Sequence, residues 1–168
     1  MPTVRRIKPH EWELLRTARL SALADAPYAF AETVEQARQM PDSRWQQRAQ
    51  TGSEGTEVVS MLAFDNDQVI GMATGLRDAT NRTVTYLVGM WVAPVWRGTN
   101  IAASLLDSIL SWAQEIGAEV VLLGVRQGNE RAASFYRKRG FESYQGALPD
   151  HPAVGSCELV FGKRIGRE

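Results

Sequence analysis

The run Thr83-Val-Thr-Tyr-Leu-Val-Gly-Met-Trp-Val-Ala-Pro94-Val-Trp-Arg97-Gly-Thr-Asn100-Ile-Ala-Ala-Ser-Leu-Leu-Asp107 changes its hydrophobic period at Pro94. Residues 83–92 are β-branched and aromatic, which predicts a strand. Beyond the proline, Ile101, Leu105, Ile109, Trp112 or Ala113 and Ile116 fall on one face at helical spacing, and Gly117 marks the stop. A helix entered this way offers about four backbone N–H groups without intrahelical partners, together with the positive end of its dipole. Gly98 permits close backbone approach, Ala102 and Ala103 keep the first turn free of bulk, and Arg97 brings a guanidinium suited to phosphate oxygens. The turn therefore reads as an anion site, with an ordinary strand-to-helix connection as the competing reading.

On the N-terminal side, residues 57–65 and 68–76 have the same strand composition, and turn residues at Asp65-Asn66-Asp67 and from Asp78 to Arg82 separate the three runs. An antiparallel meander is expected. Before it, residues 3–7 read as a short strand. A helix starting at Pro9 runs through Trp12, Leu15, Ala18 or Arg19 and Ala22, and ends before Ala26-Pro27. Residues 28–51 are polar with scattered apolar positions, and Asp42 or Ser43 suits the cap of a short helix over 43–50. On the C-terminal side, a strand over 119–125, a helix from about Asn129 to Arg139 and two strands near 141–148 and 156–165 complete the chain. The fold class expected is α+β, a mixed and mostly antiparallel central sheet flanked by helices, with one parallel pair.

With 168 residues, 44% of them hydrophobic, and no repeat or linker, a single domain over 1–168 is expected. Lysine plus arginine and aspartate plus glutamate both number 19, so no global field draws in nucleic acid or an anionic membrane, and neither is an expected partner. No apolar run approaches the roughly 18 to 20 residues that span a bilayer, and the first residues lack a signal core; a soluble, cytoplasmic protein is expected. Cys157 is the only cysteine and the two histidines lie far apart, so neither a disulfide nor a metal is expected. Within its strand pattern Cys157 reads as core.

A second constellation lies at Gly128-Asn-Glu-Arg-Ala-Ala-Ser-Phe-Tyr-Arg-Lys-Arg-Gly-Phe141. Asn129 suits a helix N-cap, the three basic residues favour the C-terminal end, and Gly140 supplies the stop. Asn129, Ala132 or Ala133 and Tyr136 share a face, while Phe135 and Phe141 read as core. Taken alone, Tyr136 reads as a half-buried packing residue.

Together the two stretches resemble the GCN5-related N-acetyltransferase (GNAT) superfamily over about residues 56–163. Met90 to Ala102 is similar to its motif A, a strand followed by Arg/Gln-x-x-Gly-x-Gly/Ala and a helix, with Asn100 where the central glycine stands. The pattern N-x-x-A-x-x-F-Y-x-x-x-G-F from Asn129 is similar to its motif B. A Walker loop and a dinucleotide fingerprint do not match these residues.

The resemblance implies an acyl-coenzyme A N-acyltransferase fold and acetyl-coenzyme A as co-substrate. Arg97, Gly98, Thr99, Asn100, Ile101 and Ala102 would form the pyrophosphate loop, Trp91 and Val92 would offer backbone to pantetheine, Asn129 would contact the cofactor, and Tyr136 would face the departing sulfur. Asparagine is enriched in left-handed backbone among non-glycine residues, so Asn100 is expected to carry that conformation. Many relatives place a glutamate on the strand before motif A; here Tyr86 takes that place, and Phe30, Glu32 and Tyr86 are the acceptor-side candidates. Tyr28 and Trp45 add apolar surface there. The base is open among Glu32, Asp150, His151 and a water chain past Tyr86, and Tyr136 is the expected general acid. The acceptor implied is a small-molecule or peptide amine, with transfer of another acyl group, a different acceptor, or a non-catalytic coenzyme-binding role as the alternatives. Homodimers are common among resembling proteins.

Overall fold

A computed structural model describes residues 1–30, 32–146, 154, 157 and 159–166. Seven strands form one sheet: β1 (Thr3–Arg6), β2 (Val58–Asp65), β3 (Gln68–Arg77), β4 (Val84–Val92), β5 (Val120–Val125), β6 (Glu142–Ser143) and β7 (Leu159–Arg164), in the order β1-β2-β3-β4-β5-β7-β6. β2, β3 and β4 are the expected meander, and β4 with β5 is the one parallel pair among the described strands. The helices are α1 (Trp12–Asp25), α2 (Val34–Arg38), α3 (Asp42–Ser53), α4 (Ile101–Glu115) and α5 (Glu130–Lys138). No described helix is long and apolar enough to cross a membrane.

The period-2 alternation of β2 divides the core. Val59 and Ala63 pack with Leu105, Ile109 and Trp112 of α4 and with α5, whereas Leu62 and Phe64 pack with Leu15, Leu23 and Trp45 of α1 and α3. The sheet thus lies between two helical layers. Along β4, Leu87 and Val92 both belong to the α4 cluster although they stand five apart, an odd spacing that would put them on opposite faces of a regular strand. A β-bulge resolves this: Thr74 pairs with Val88 and Met72 with Trp91, so Gly89 and Met90 together oppose Ala73. Gly89 holds φ at +63°, where a side chain would be strained.

Several sequence expectations are corrected. α1 begins at Trp12 rather than Pro9, because Glu11 accepts from the Lys8 amide at 2.8 Å and fixes the entry turn. α2 was not expected; the Thr33–Gln36 capping box starts it. α3 runs from Asp42 to Ser53, longer than 43–50, and no side chain caps it. Cys157 precedes β7 instead of lying in it. Parts of the two predicted C-terminal strands fall outside the described residues.

Glu11 also receives two 2.8 Å hydrogen bonds from the Arg5 guanidinium. This pair, with the Lys8 amide assisting, holds the carboxyl at about 2 against an ordinary 4.5. A depressed carboxyl stabilises the fold above its unfolded value and loses that contribution as pH falls through the folded one. Glu11→Gln should therefore cost about 1–3 kcal/mol at neutral pH, nearer the low end because Arg5 is part exposed. In urea unfolding, the gap between parent and variant should close as pH falls from 4.5 towards 2.

Candidate functional site

The parallel pairing of β4 with β5 stops early. Val84, Thr85 and Tyr86 pair with Val120, Val121 and Leu122, and the ladder goes no further, although β4 continues to Val92 and β5 to Val125. Beyond that point the strands part. Leu87 to Met90 on one side and Leu123 to Arg126 on the other line a cleft of about 880 Å³. The bulge at Gly89 and Met90 lies past the last β4–β5 pair, within the stretch of β4 that lines the cleft. A glycine inside a β-branched run was the available signal for it.

α5 closes one side of the cleft with Asn129, Ala132 and Tyr136. Asn129 caps this helix, its Oδ1 accepting from the Ala132 amide at 3.2 Å. Tyr136 is 8% exposed, with its ring edge-on to Phe135 and Phe141 at centroid separations of 5.2 and 5.6 Å. Burial raises its hydroxyl well above the usual phenol value, so the group is protonated at any physiological pH. Of the two phenylalanines read as core, Phe141 is buried at 1% and Phe135 is partly exposed under the Arg139 guanidinium.

Past the bulge, β4 leads through Trp91 and Val92 to the turn at 97–102, which lies outside the cleft. Gly98 carries the positive φ of this turn, +80°, whereas Asn100 has φ −81° and ψ 3°. The left-handed expectation for Asn100 is thus corrected: the reversal out of the 3-10 turn at Pro94–Trp96 is completed two residues earlier, and asparagine there is unstrained. Thr99 Oγ1 donates to the Trp96 carbonyl and accepts from the Ile101 amide at 3.4 Å. The Asn100 side chain makes no capping bond, so the first turn of α4, with Ala102 at its surface, keeps backbone donors for a ligand. Arg97 does not point its charge into the turn. Its Nε donates to the Val92 carbonyl at 3.2 Å and its guanidinium pairs with Asp25, which also accepts from Trp91 Nε1 at 3.0 Å. Both partners hold the Asp25 carboxyl below its ordinary range, Trp91 the more strongly. The Trp91 carbonyl lies 3.0 Å from where a side chain on Gly71 would stand, facing β3 instead of the cleft.

The opposite wall comes from α1, α3 and the segment before α2. Phe30, Glu32 and Trp45 line it, while Tyr28 is 86% exposed and takes no part. Glu32 is not a freely solvated surface carboxylate: one oxygen accepts from Arg19 Nε at 3.1 Å and the other from Arg48 at 3.4 Å. Arg19 and Arg48 were missed by sequence reasoning. The signal was Arg19 within the Leu15, Arg19, Leu23 stripe of α1, where a charge interrupts an apolar face.

Tyr86 departs from its expected place. It is 1% exposed in a separate cluster with Val84 and Leu122, its hydroxyl donates to Asp78 at 2.5 Å, and it does not line the cleft. Burial first and Asp78 second push its hydroxyl upward. Tyr86→Phe should cost about 1 kcal/mol of stability, as measured by chemical unfolding. Asp150 and His151 lie outside the described residues. Among the described residues no cluster suited to a metal is found.

A model of the acetyltransferase (GNAT) family matches residues 18–141. Over 82 residues the chain is 37% identical to an uncharacterised N-acetyltransferase of Mycobacterium tuberculosis (strain ATCC 25618 / H37Rv), covering 49% of this chain and 51% of that one. It is 32% identical over 88 residues to N-alpha-acetyltransferase 30 of Schizosaccharomyces pombe, covering 51% and 59%. The chain thus spans a little over half the length of the curated relatives it matches. In fold it is similar to a GNAT-family acetyltransferase from Streptococcus pneumoniae (TM-score 0.79, 16% identity, 98% of this chain and 100% of that one). It is also similar to the PaiA N-acetyltransferase from Thermoplasma acidophilum in complex with coenzyme A (TM-score 0.68, 18% identity, 98% and 99%).

Proposed function

Because the chain belongs to the GNAT family of acetyltransferases, we propose that it transfers an acetyl group from acetyl-coenzyme A to a primary amine by direct attack on the thioester. The observation that carries this reading is the parting of β4 from β5 beside an uncapped helix start. Unpaired strand edge suits an extended chain of amides, and free N–H groups at the positive end of a helix suit a pyrophosphate. β4 joins the two, so one extended ligand lying along it would reach from the turn at 97–102 to Tyr136. The neutral first turn of α4 fits the anion, with Arg97 through Ala102 acting through their backbone and Arg97 fixing the turn by its bonds to Val92 and Asp25.

The amine nitrogen attacks the thioester carbon, a C–N bond forms, and the C–S bond breaks with its electron pair leaving on sulfur. An alkyl amine with pKa near 10.4 must first lose a proton, at about 4–5 kcal/mol near pH 7 from about 1.4 kcal/mol per unit. Glu32 is bracketed by two guanidiniums, so the proton leaves to water in the cleft instead. Tyr136 supplies the hydrogen-bond donor facing the sulfur. Its buried phenol holds its proton more tightly than a thiol near 8.5, so the hydroxyl stabilises the developing thiolate by a hydrogen bond, and the sulfur's final proton comes from the amine by way of solvent.

Incubation with acetyl-coenzyme A and a panel of primary amines tests the proposal, reading thiol release beside the mass of each product. Amine-dependent thiol release matched by N-acetylated product is expected. Coenzyme binding with no acetyl transfer to any amine would contradict it and favour a binding role.

A further inference from the structure

The wall of the cleft facing the sheet is charged in a way that N-acetyl transfer alone does not require. Arg19, Arg44, Arg48 and Arg126 line the cleft, and Glu32 is the one carboxylate among the described lining residues. Such an excess of positive charge repels a polycationic acceptor and attracts an anionic one. Two of these arginines are also rigidly built. The Arg19 guanidinium stacks on Phe30 at 4.8 Å and binds Glu32 through Nε; that of Arg48 stacks on Trp45 at 5.3 Å and binds the other Glu32 oxygen. Glu32 therefore acts as a brace that sets both side chains, and the fixed planes lose little freedom when a ligand arrives.

Arg19 keeps donors for that ligand. Its two terminal nitrogens have no hydrogen-bond partner among the described residues, and Nη1 lies 3.5 Å from where a side chain on Gly89 would stand. Gly89 is a bulge residue in the part of β4 that lies beyond its last pair with β5, so this guanidinium reaches the strand edge that lines the cleft. The partly desolvated head of Arg19 is lowered chiefly by burial, a cost that an incoming anion relieves. Leu15, Phe30 and Trp45 make the same wall apolar, and Met72 and Val88 add apolar surface from the sheet opposite.

We propose that the acceptor is a carboxylate-bearing amine, with the carboxylate held by Arg19 and Arg48 and an apolar side chain lying against Phe30 and Met72. The placement of Arg19 beside the bulge favours a carboxylate on the carbon that bears the amine, as in an apolar α-amino acid, over one carried on a distant side chain. The inference rests on the acetyltransferase reading of the same cleft. Its chemistry is unchanged by the carboxylate, which orients the nitrogen and takes no part in bond making.

The test compares phenylalanine, phenylalaninamide, phenethylamine, a linear diamine and the dipeptide amide aspartyl-phenylalaninamide as acceptors for the parent, Arg19→Gln, Arg19→Lys and Arg48→Gln. Thiol release gives kcat/KM, and calorimetry gives the binding of phenylalanine to the protein with coenzyme A present. The parent is expected to prefer phenylalanine over its amide and decarboxylated forms. Arg19→Gln should lower kcat/KM for phenylalanine by about 10- to 100-fold more than for phenethylamine, the range for a charge-assisted hydrogen bond. Arg19→Lys should recover part of the loss and Arg48→Gln should show a smaller one. Preference for the dipeptide would move the carboxylate to a side chain and overturn the α-amino acid assignment. Equal use of all amines, preference for the diamine, or an equal loss on every acceptor would overturn the carboxylate site itself. Arg19-dependent binding of phenylalanine without acetylation of any amine would uphold the anion site and strike out the acetyltransferase reading; absence of both binding and acetylation of phenylalanine would overturn the inference.

Discussion

Tyr136→Phe is expected to lower kcat by about 10²-fold or more, the usual cost of removing one positioned hydrogen-bond donor to a developing anion, while acetyl-coenzyme A binds as tightly as to the parent. The expectation rests on the proposed role of its hydroxyl. Tyr136 lines the cleft from α5, its ring is held edge-on by Phe135 and Phe141, and phenylalanine conserves those contacts. Only the donor is removed. A loss confined to kcat marks an interaction made in the transition state, whereas a rise in KM for the coenzyme would mark ground-state binding. Because burial raises the phenol, the parent's rate should climb with pH as the amine deprotonates and show no tyrosine limb below about pH 10. Stopped-flow thiol release and calorimetry on both proteins check the two halves. Equal kcat in parent and variant would remove Tyr136 from the chemistry.

Asn100→Asp gives the second large effect, and it separates stability from binding. Asn100 is the N-cap of α4, exposed, with ordinary backbone angles and no capping bond. Aspartate has the same shape, caps equally well, and gains about 0.3–1 kcal/mol from the helix dipole. The free protein should therefore melt at the same or a slightly higher temperature. A carboxylate near a pyrophosphate, however, repels it by about 1 to 4 kcal/mol at roughly 4 Å, depending on how much water intervenes. Coenzyme A should bind about 10- to 100-fold more weakly, and added salt should narrow the gap by screening. Calorimetry at two salt concentrations, beside thermal melts, measures all three. Unchanged affinity would place the pyrophosphate elsewhere.

The sheet was legible because its strands carry their own local signal. The three runs of the meander and the strand at 119–125 are β-branched, and each is punctuated by turn residues, so boundaries came within a residue or two. α4 and α5 were equally plain, one from its apolar stripe and the other from Asn129 and Gly140 at its ends. α2 was missed because five residues show too little periodicity, and only the Thr33–Gln36 pair announces it. The proposed coenzyme half of the candidate site stood in contiguous residues, 90–102 and 129–141. The proposed acceptor half did not: Arg19, Glu32, Arg48 and Gly89 come from four segments, and their meeting is a product of packing on one face of the sheet. Tyr86 shows the reverse failure. Its sequence position matched that of a family glutamate, yet its side chain lies in a separate cluster bonded to Asp78.

The central claim, that coenzyme A lies along β4 with its pyrophosphate on the start of α4, is tested most directly by backbone amide NMR during titration with coenzyme A. Saturable shifts confined to residues 88–92, 97–103 and the start of α5, with β1 and β6 undisturbed, are the result predicted. Shifts centred on another surface, or none at millimolar coenzyme, would contradict it.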